Sequence, residues 1–370
     1  MNILHLSAVK NWGGGENHLE NLCMGLKDQP VEIKNVILCN AGGEFRKKLE
    51  KSDLDFVPVP LSFKMDPRYI LKIRVICKKE EIDLIHIHDT TALALAVMAS
   101  HLFSLPPFIF SKKTSFPIKP RKQTLYKYNY PKISKILCVS RATAAITSHS
   151  IKDSQKLEVI YHGTNTKTLK KISFLNLREK LNLHPDTLII GNIANHIRAK
   201  DLLTFVRTAA EIIKLRPQRN IHFVQVGSFT NRTSAILKLT RDLDLEKHIS
   251  YFGFQKDAGG LIPQFDISLM TSQSEGLPQF IFESMYHRVP VVSTNVGGIP
   301  EVIESGKNGL LAPVHDHKIL GLHVLKLIDE PELRKKYTLT SKETIEADFT
   351  SKTMVLKTLE IYKQVIYGSA

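Results

Sequence analysis

Two glutamates eight residues apart, Glu275 and Glu283, bracket the segment Ser274-Glu275-Gly276-Leu277-Pro278-Gln279-Phe280-Ile281-Phe282-Glu283. An apolar run at 267–271 precedes it and another at 290–294 follows. The acids therefore belong where a strand gives way to a helix, and Pro278 suits that helix's first turn. Eight helical residues span about 12 Å, wider than the roughly 5–9.5 Å between paired glycosidase carboxyls. The two acids are expected to hold different parts of one extended ligand. Sugar and ribose hydroxyls suit them, because a carboxylate accepts several hydrogen bonds. An ordinary first-turn glutamate or a surface glutamate is the plain alternative for either residue alone.

Three further clusters stand after apolar runs. Asn195-His196-Ile197-Arg198-Ala199-Lys200-Asp201 places two cations near a helix start, where the helix dipole favours anions. Neutralising a phosphate or diphosphate explains them, Arg198 as a fork and Lys200 as a point charge; a solvated turn is the plain alternative. In His86-Ile87-His88-Asp89, alternation puts both histidines on one face of a strand, with His88 at its end. Hydrogen bonding inside a core and contact with a ligand are both open, while zinc lacks an obvious third ligand. Trp12-Gly13-Gly14-Gly15-Glu16 joins a strand to a helix and offers backbone N–H groups to phosphate, or simply makes a tight turn. Neither GxGxxG nor GxxxxGK[ST] occurs.

Positioning these clusters requires alternating strands and helices. Strands are predicted at 2–7, 36–39, 83–88, 108–111 and 135–140, and again at 187–194, 222–226, 249–252, 267–271 and 290–294. Near-continuous apolar runs of this kind fit parallel strands covered on both faces, hence two doubly wound α/β sheets. The seam falls at Tyr161-His162-Gly163-Thr164-Asn165, followed by a polar stretch at 166–171. Domains are expected at 1–165 and 166–345, with a terminal helix within 346–370. At 370 residues and 43% hydrophobic, the chain suits two domains and is too apolar for disorder. The uncharged stretch 90–111 is broken by Pro106-Pro107 and reads as a buried helix followed by a strand rather than a membrane span. The N-terminus reads as a first strand, not a signal peptide. Cys23, Cys39, Cys77 and Cys138 form no CxxC pair and suit free thiols in a reducing cytoplasm.

Together these residues resemble the retaining glycosyltransferases of family 4, over essentially the whole chain. Gly13, Gly14 and Glu16 are similar to that family's Gly-Gly-x-Glu turn, and His86 to Asp89 to its strand-end motif. Cys138-Val139-Ser140-Arg141-Ala142-Thr143 resembles its Val-Ser-x-x-Thr segment, and Val159 to Asn165 its interdomain linker. Glu275 to Glu283 resembles its Glu-x7-Glu signature, and Val296-Gly297-Gly298-Ile299-Pro300-Glu301 the segment after it. The resemblance implies the GT-B architecture, two Rossmann-like doubly wound domains facing across a cleft that holds a UDP- or GDP-linked sugar. It implies that Arg198 and Lys200 clamp the diphosphate and Glu275 holds sugar hydroxyls, with Gly276 and Leu277 beside them. Glu283 would bind the ribose, Gly227 would let the nucleotide approach and Phe254 would lie against the base. His88 would orient the sugar, while Gly13 and Gly14 approach the diphosphate from the other domain. It implies a retaining, metal-independent transfer with no cofactor and no protein nucleophile. It also implies a terminal helix (351–367) that returns to the first domain. One departure concerns Gly191-Asn192, where many members carry Gly-Arg; Arg198 would take over that cationic role.

Lys and Arg number 51 against 36 Asp and Glu, a net charge of +15. Eight cations and no acid fall within 112–135, interleaved with Phe116, Tyr126, Tyr128 and Tyr130. That stretch is expected to face an anionic membrane, placing a cytoplasmic enzyme on the inner leaflet near a glycan or lipid-linked acceptor; a solvated basic face is the plain alternative. Nucleic acid is not an expected partner, since no RNP, KH, zinc-finger or helix-turn-helix pattern accompanies the charge. A sugar-nucleotide epimerase and a non-catalytic sugar-nucleotide-binding subunit are the rival readings of the same fold.

Overall fold

The computed structural model of the chain describes residues 1–165, 169, 173 and 175–368. Apart from Leu169, the polar stretch 166–171, where the second domain is expected to begin, lies outside the described residues. The chain divides into two compact units, Met1–Gly163 with Ser351–Ala370, and Thr164–Thr350.

The first unit carries seven strands: β1 (Asn2–Leu6), β2 (Lys34–Asn40), β3 (Asp55–Val59), β4 (Leu84–Ile87), β5 (Phe108–Lys112), β6 (Ile133–Cys138) and β7 (Leu157–Val159). They pair in parallel in the order β3-β2-β1-β4-β5-β6-β7. Between them run α1 (Gly14–Lys27), α2 (Glu44–Leu49), α3 (Pro67–Lys79), α4 (Thr90–Leu102), α5 (Lys122–Tyr128) and α6 (Arg141–Ser148). The pleat sorts the strand residues. Leu4, Leu6, Ile85, Ile87 and Phe110 join a core with residues of α3 and α4. Their alternates Ile3, Leu84, Ile109 and Leu137 face Leu22 and Leu26 of α1 on the other side.

The second unit repeats the pattern with six parallel strands, β8 (Leu188–Ile193), β9 (Ile221–Val226), β10 (Ile249–Tyr251), β11 (Ile267–Met270), β12 (Val291–Thr294) and β13 (Leu310–Ala312), in the order β10-β9-β8-β11-β12-β13. Among the described residues its α-helices are α7 (Leu177–Lys180), α8 (Leu202–Leu215), α9 (Thr233–Asp242), α10 (Gln279–Tyr286), α11 (His317–Asp329) and α12 (Pro331–Asp348). The last helix, α13 (Ser351–Tyr367), belongs to the first unit, where Met354, Val355, Leu359 and Tyr362 pack with Ile3, Leu22 and Leu26. Gly25 permits this contact, since a Cβ there would lie 2.5 Å from Val355 Cγ2.

In each sheet the strand order reverses once, between β1 and β4 and between β8 and β11. Chains leave the two strands of such a pair to opposite sides, which opens a crevice beyond their carboxyl ends. The fold thus singles out the residues after Leu6, Ile87, Ile193 and Met270.

Candidate active site

Beyond β8 and β11, two loops are tied to one another. Arg198–Lys200 form a 3-10 turn ending at Asp201, whose left-handed backbone (φ 43°) turns the chain into α8. The Asp201 carboxylate accepts from Thr204 Oγ1 at 2.6 Å and from His315 Nδ1 at 2.6 Å. From the β11 side, Gln273 donates its backbone N–H to Ala199 O (2.8 Å) and its side-chain amide to Arg198 O (2.5 Å). Thr271 Oγ1 donates to Lys200 O and Asp201 O. Below the turn, buried His196 bonds Thr233 Oγ1 at 2.9 Å and Gln225 Oε1 at 2.8 Å. These bonds fix where the two cations start.

Lys200 Nζ then meets Glu275 Oε1 at 2.5 Å, with 21% of the Lys200 and 9% of the Glu275 side chain exposed. Arg198 is exposed, and its guanidinium has no partner among the described residues. Gly276 and Leu277 follow directly and are buried; Gly276 O accepts from Gly298 N. Pro278 caps α10 one position before the expected start and supplies no side-chain hydrogen bond. Glu283, one turn on from Gln279, has no described donor to its carboxylate, and burial pushes its pKa up to about 7. Its Oε2 would lie 2.8 Å from a Cβ on Gly259.

Three expected positions have explanations of their own. Gly227 (φ +155°) is a glycine because a Cβ would lie 2.0 Å from Ala194 O. Asn192, where the resemblance sets the departure from Gly-Arg, is buried in β8 and donates to Leu269 O at 2.8 Å. Phe254 stands 66% exposed after β10, and Phe229, also exposed, lies 3.8 Å from the Cβ position of Gly253.

In the first unit, parallel register sets His5 of β1 beside His86 of β4. His88 stands two residues on, and its ring centroid is 4.1 Å from that of His86. His5 is thus the third imidazole that the sequence did not reveal, and three nitrogens lie within 4.8 Å of one another. Three neutral imidazoles are the makings of a metal site, but every ring nitrogen here is already engaged. His86 bonds Tyr362 OH (2.5 Å) and Ser111 Oγ (2.8 Å). His5 bonds Asn35 Oδ1 and His88 Nε2, both at 3.0 Å. His88 Nδ1 faces Lys113 Nζ at 3.3 Å, and an ammonium so placed opposes a second cation.

One proton assignment satisfies this chain. Lys113 donates to His88 Nδ1, His88 Nε2–H donates to His5 Nδ1, and His5 Nε2–H donates to Asn35 Oδ1. Burial supports it, holding the His88 pKa well below the ordinary value and lowering His5 to about 4. Burial also lowers Lys113 to about 8, and its Nζ bonds Gly15 O at 2.9 Å, tying the glycine loop to His88. Asp89 caps α4 through Thr91 N and Ala92 N and accepts Ala8 N at 2.7 Å. His88 therefore presents no free ring nitrogen in this state.

Gly13 differs from Gly227. Its backbone is extended (φ −166°), and a Cβ there would meet nothing nearer than Glu16 Oε2 at 3.6 Å. Among the described residues nothing demands a glycine at this position.

The stretch 112–135 is not one basic face. Lys112 is buried against the carbonyls of Thr114 and Phe116, Lys127 bonds Thr90 O, Lys132 bonds Leu105 O and Lys135 pairs with Glu158. Tyr128 and Tyr130 belong to the core. Lys119, Arg121 and Lys122 remain exposed.

Residues 12–168 match the family model described as Glycosyltransferase Family 4, and residues 184–330 match that described as Glycosyl transferases group 1. N-acetyl-alpha-D-glucosaminyl L-malate synthase of Bacillus anthracis is 22% identical over 80% of this chain and 78% of its own. The lipopolysaccharide core biosynthesis glycosyltransferase LpsD of Rhizobium meliloti is 22% identical over 98% of both chains. Among solved structures, HepE of Anabaena in complex with UDP and glucose superposes with a TM-score of 0.84, at 19% identity, over 98% of this chain and 100% of that one.

Proposed function

This chain belongs to glycosyltransferase family 4, and from that premise we propose that it moves a sugar from a nucleotide-diphosphate donor to a hydroxyl of a cell-surface polysaccharide, lipopolysaccharide or glycolipid. The observation that carries the proposal is the Lys200–Glu275 pair beyond the β8–β11 switch point, with Arg198, two positions before Lys200, exposed and without a partner among the described residues. In the resting protein each member of the pair neutralises the other, so neither is a lone charge in a half-buried setting. A diphosphate competes for Lys200, and Glu275 then turns its lone pairs to sugar hydroxyls. As the donor's glycosidic bond breaks, charge grows on the leaving diphosphate. Arg198 and Lys200 stabilise that charge, and one well-placed donor of this kind is worth roughly 3–4 kcal/mol in other enzymes.

The acceptor oxygen bonds to the anomeric carbon on the face the diphosphate leaves. Configuration is thereby retained, and the departing phosphate oxygen takes the acceptor's proton. No protein nucleophile and no metal is assigned a step. Glu283, whose carboxylate has no donor among the described residues, binds the ribose; Phe254 lies against the base, with Phe229 as a second aromatic. Close approach of the donor explains glycine at Gly13 and Gly14. Lys113 and His5 hold His88 in one tautomer, and one of those bonds yields when His88 touches substrate.

The UDP named with HepE and the lipopolysaccharide core named for LpsD favour a UDP-sugar and a cell-surface acceptor. Four free cysteines support a cytoplasmic setting. No helix among the described residues is long and apolar enough to cross a membrane. Saturation-transfer NMR with UDP-, GDP- and ADP-sugars tests the proposal. A signal from one nucleotide series supports it, and silence from all three overturns it.

A further inference from the structure

Helix α3 buries Tyr69, Ile70, Ile73 and Ile76 in the first unit's core and turns Leu71 and Val75 outward, each more than half exposed. At about 100° per residue, Leu71 and Val75 lie side by side along the outer face. Arg68, Lys72 and Lys79 run along one flank of that stripe, and Arg74 and Lys78 along the other. The loop entering the helix adds Phe63 and Met65, also more than half exposed, on either side of Lys64. Leu102, the last residue of α4 and 66% exposed, adjoins Phe103, whose ring lies 4.6 Å below the Arg74 guanidinium. Apolar residues exposed singly are ordinary, but five large ones on one helix, its entry loop and the end of a neighbouring helix are not.

The charge around them is one-sided. Residues 61–79 hold six Lys and Arg and a single acid, Asp66, which is spent capping α3 and pairing with Arg68. Lys79 pairs with Glu80, while Lys64, Lys72 and Lys78 have no partner among the described residues. A second copy of this face would be repelled by it. An apolar stripe between two rows of cations instead fits a bilayer surface. Aliphatic side chains reach below the headgroups while lysine and arginine heads stay level with the phosphates.

We infer that this face of α3, with the loop bearing Phe63 and Met65, is where the protein rests on an anionic lipid bilayer. This moves the expected membrane contact away from 112–135, most of whose cations are spent inside the fold. The inference stands on surface chemistry alone. The transferase proposal adds only a purpose, a lipid-linked acceptor within reach, so failure of either leaves the other standing.

Flotation of the full chain with vesicles of phosphatidylglycerol and phosphatidylcholine, against phosphatidylcholine alone, tests it. The wild type is expected to float with the anionic vesicles only, and high salt is expected to release it in part. Leu71→Glu with Val75→Glu is expected to cut the bound fraction about tenfold or more, with the melting temperature unchanged because both side chains already face solvent. Neutralising Lys119, Arg121 and Lys122 to glutamine should leave binding within about twofold. The inference is overturned if the wild type does not float, if the α3 variant floats like the wild type, or if the 119–122 variant alone loses binding. It is also overturned if light scattering shows a dimer that the α3 variant dissociates, because the face then belongs to a second copy.

Discussion

Glu283→Gln separates the cost of a buried carboxylate from its use. Burial raises this pKa from 4.5 to about 7, so the folded chain holds the proton more tightly than the unfolded one. The sign follows from linkage. Below about pH 4.5 the group is protonated in both states and contributes nothing; between 4.5 and 7 stability falls as pH rises; above 7 the full penalty is present. The interval corresponds to at most about 3 kcal/mol, an upper bound because the side chain is only partly buried. Glutamine keeps the shape and removes the charge. The variant should match the wild type in melting temperature near pH 4.5 and exceed it by up to roughly 6–12 °C at pH 8, at about 2–4 °C per kcal/mol for a unit of this size. Calorimetric scans of both proteins from pH 4.5 to 8 read this difference. The same variant should bind UDP more weakly at pH 8, since ribose hydroxyls then lose a charged acceptor. A melting difference that does not grow with pH, or a variant less stable than the wild type at pH 8, refutes the reasoning.

Gly227→Ala should cost about 3 kcal/mol or more in chemical denaturation, because its Cβ collides with Ala194 O at a backbone angle alanine resists. Gly13→Ala should unfold like the wild type, since its Cβ would meet only Glu16 Oε2 at 3.6 Å, yet lose sugar transfer if the donor approaches there as proposed. Breaking the half-buried pair by Lys200→Met should destabilise by about 2 kcal/mol and Glu275→Gln by less, with a coupling of about 1 kcal/mol or more in the double-mutant cycle; strict additivity would show that the pair is not formed. Nitrogen-15 NMR of labelled histidine should find His88 neutral at pH 6 with its proton on Nε2, and Lys113→Met should mix the tautomers; a proton on Nδ1 in the wild type contradicts the assigned chain.

Most of the architecture was legible because central parallel strands are apolar throughout. The three strands that escaped, β3, β7 and β13, are all sheet edges. β3 carries Pro58, which an edge tolerates and a central strand does not, and the other two are only three residues long. In the second unit the candidate residues lie in short local clusters, so Arg198, Lys200 and Glu275 could be singled out as candidates from their spacing. That Lys200 and Glu275 pair directly depends on the loop bonds from Thr271 and Gln273, which no spacing reveals. The first unit hid more. His5 joins His86 only through strand register, Lys113 arrives from β5, and Tyr362 comes from a helix 276 residues after His86. How the cations of 112–135 divide was hidden for a related reason, since a run of lysines does not show which ammonium groups turn inward to carbonyls.

The central claim is that Arg198, Lys200 and Glu275 form the site for a nucleotide-diphosphate sugar. Titration calorimetry of UDP- and GDP-sugars against the wild type, Arg198→Ala and Glu275→Ala tests it most directly. The account predicts that one nucleotide series binds the wild type. Arg198→Ala should weaken both the sugar nucleotide and the free nucleoside diphosphate by about tenfold or more, the loss of one charge-assisted contact. Glu275→Ala should weaken the sugar nucleotide far more than the free diphosphate. Equal affinity across all three proteins, or no binding by the wild type, would contradict it.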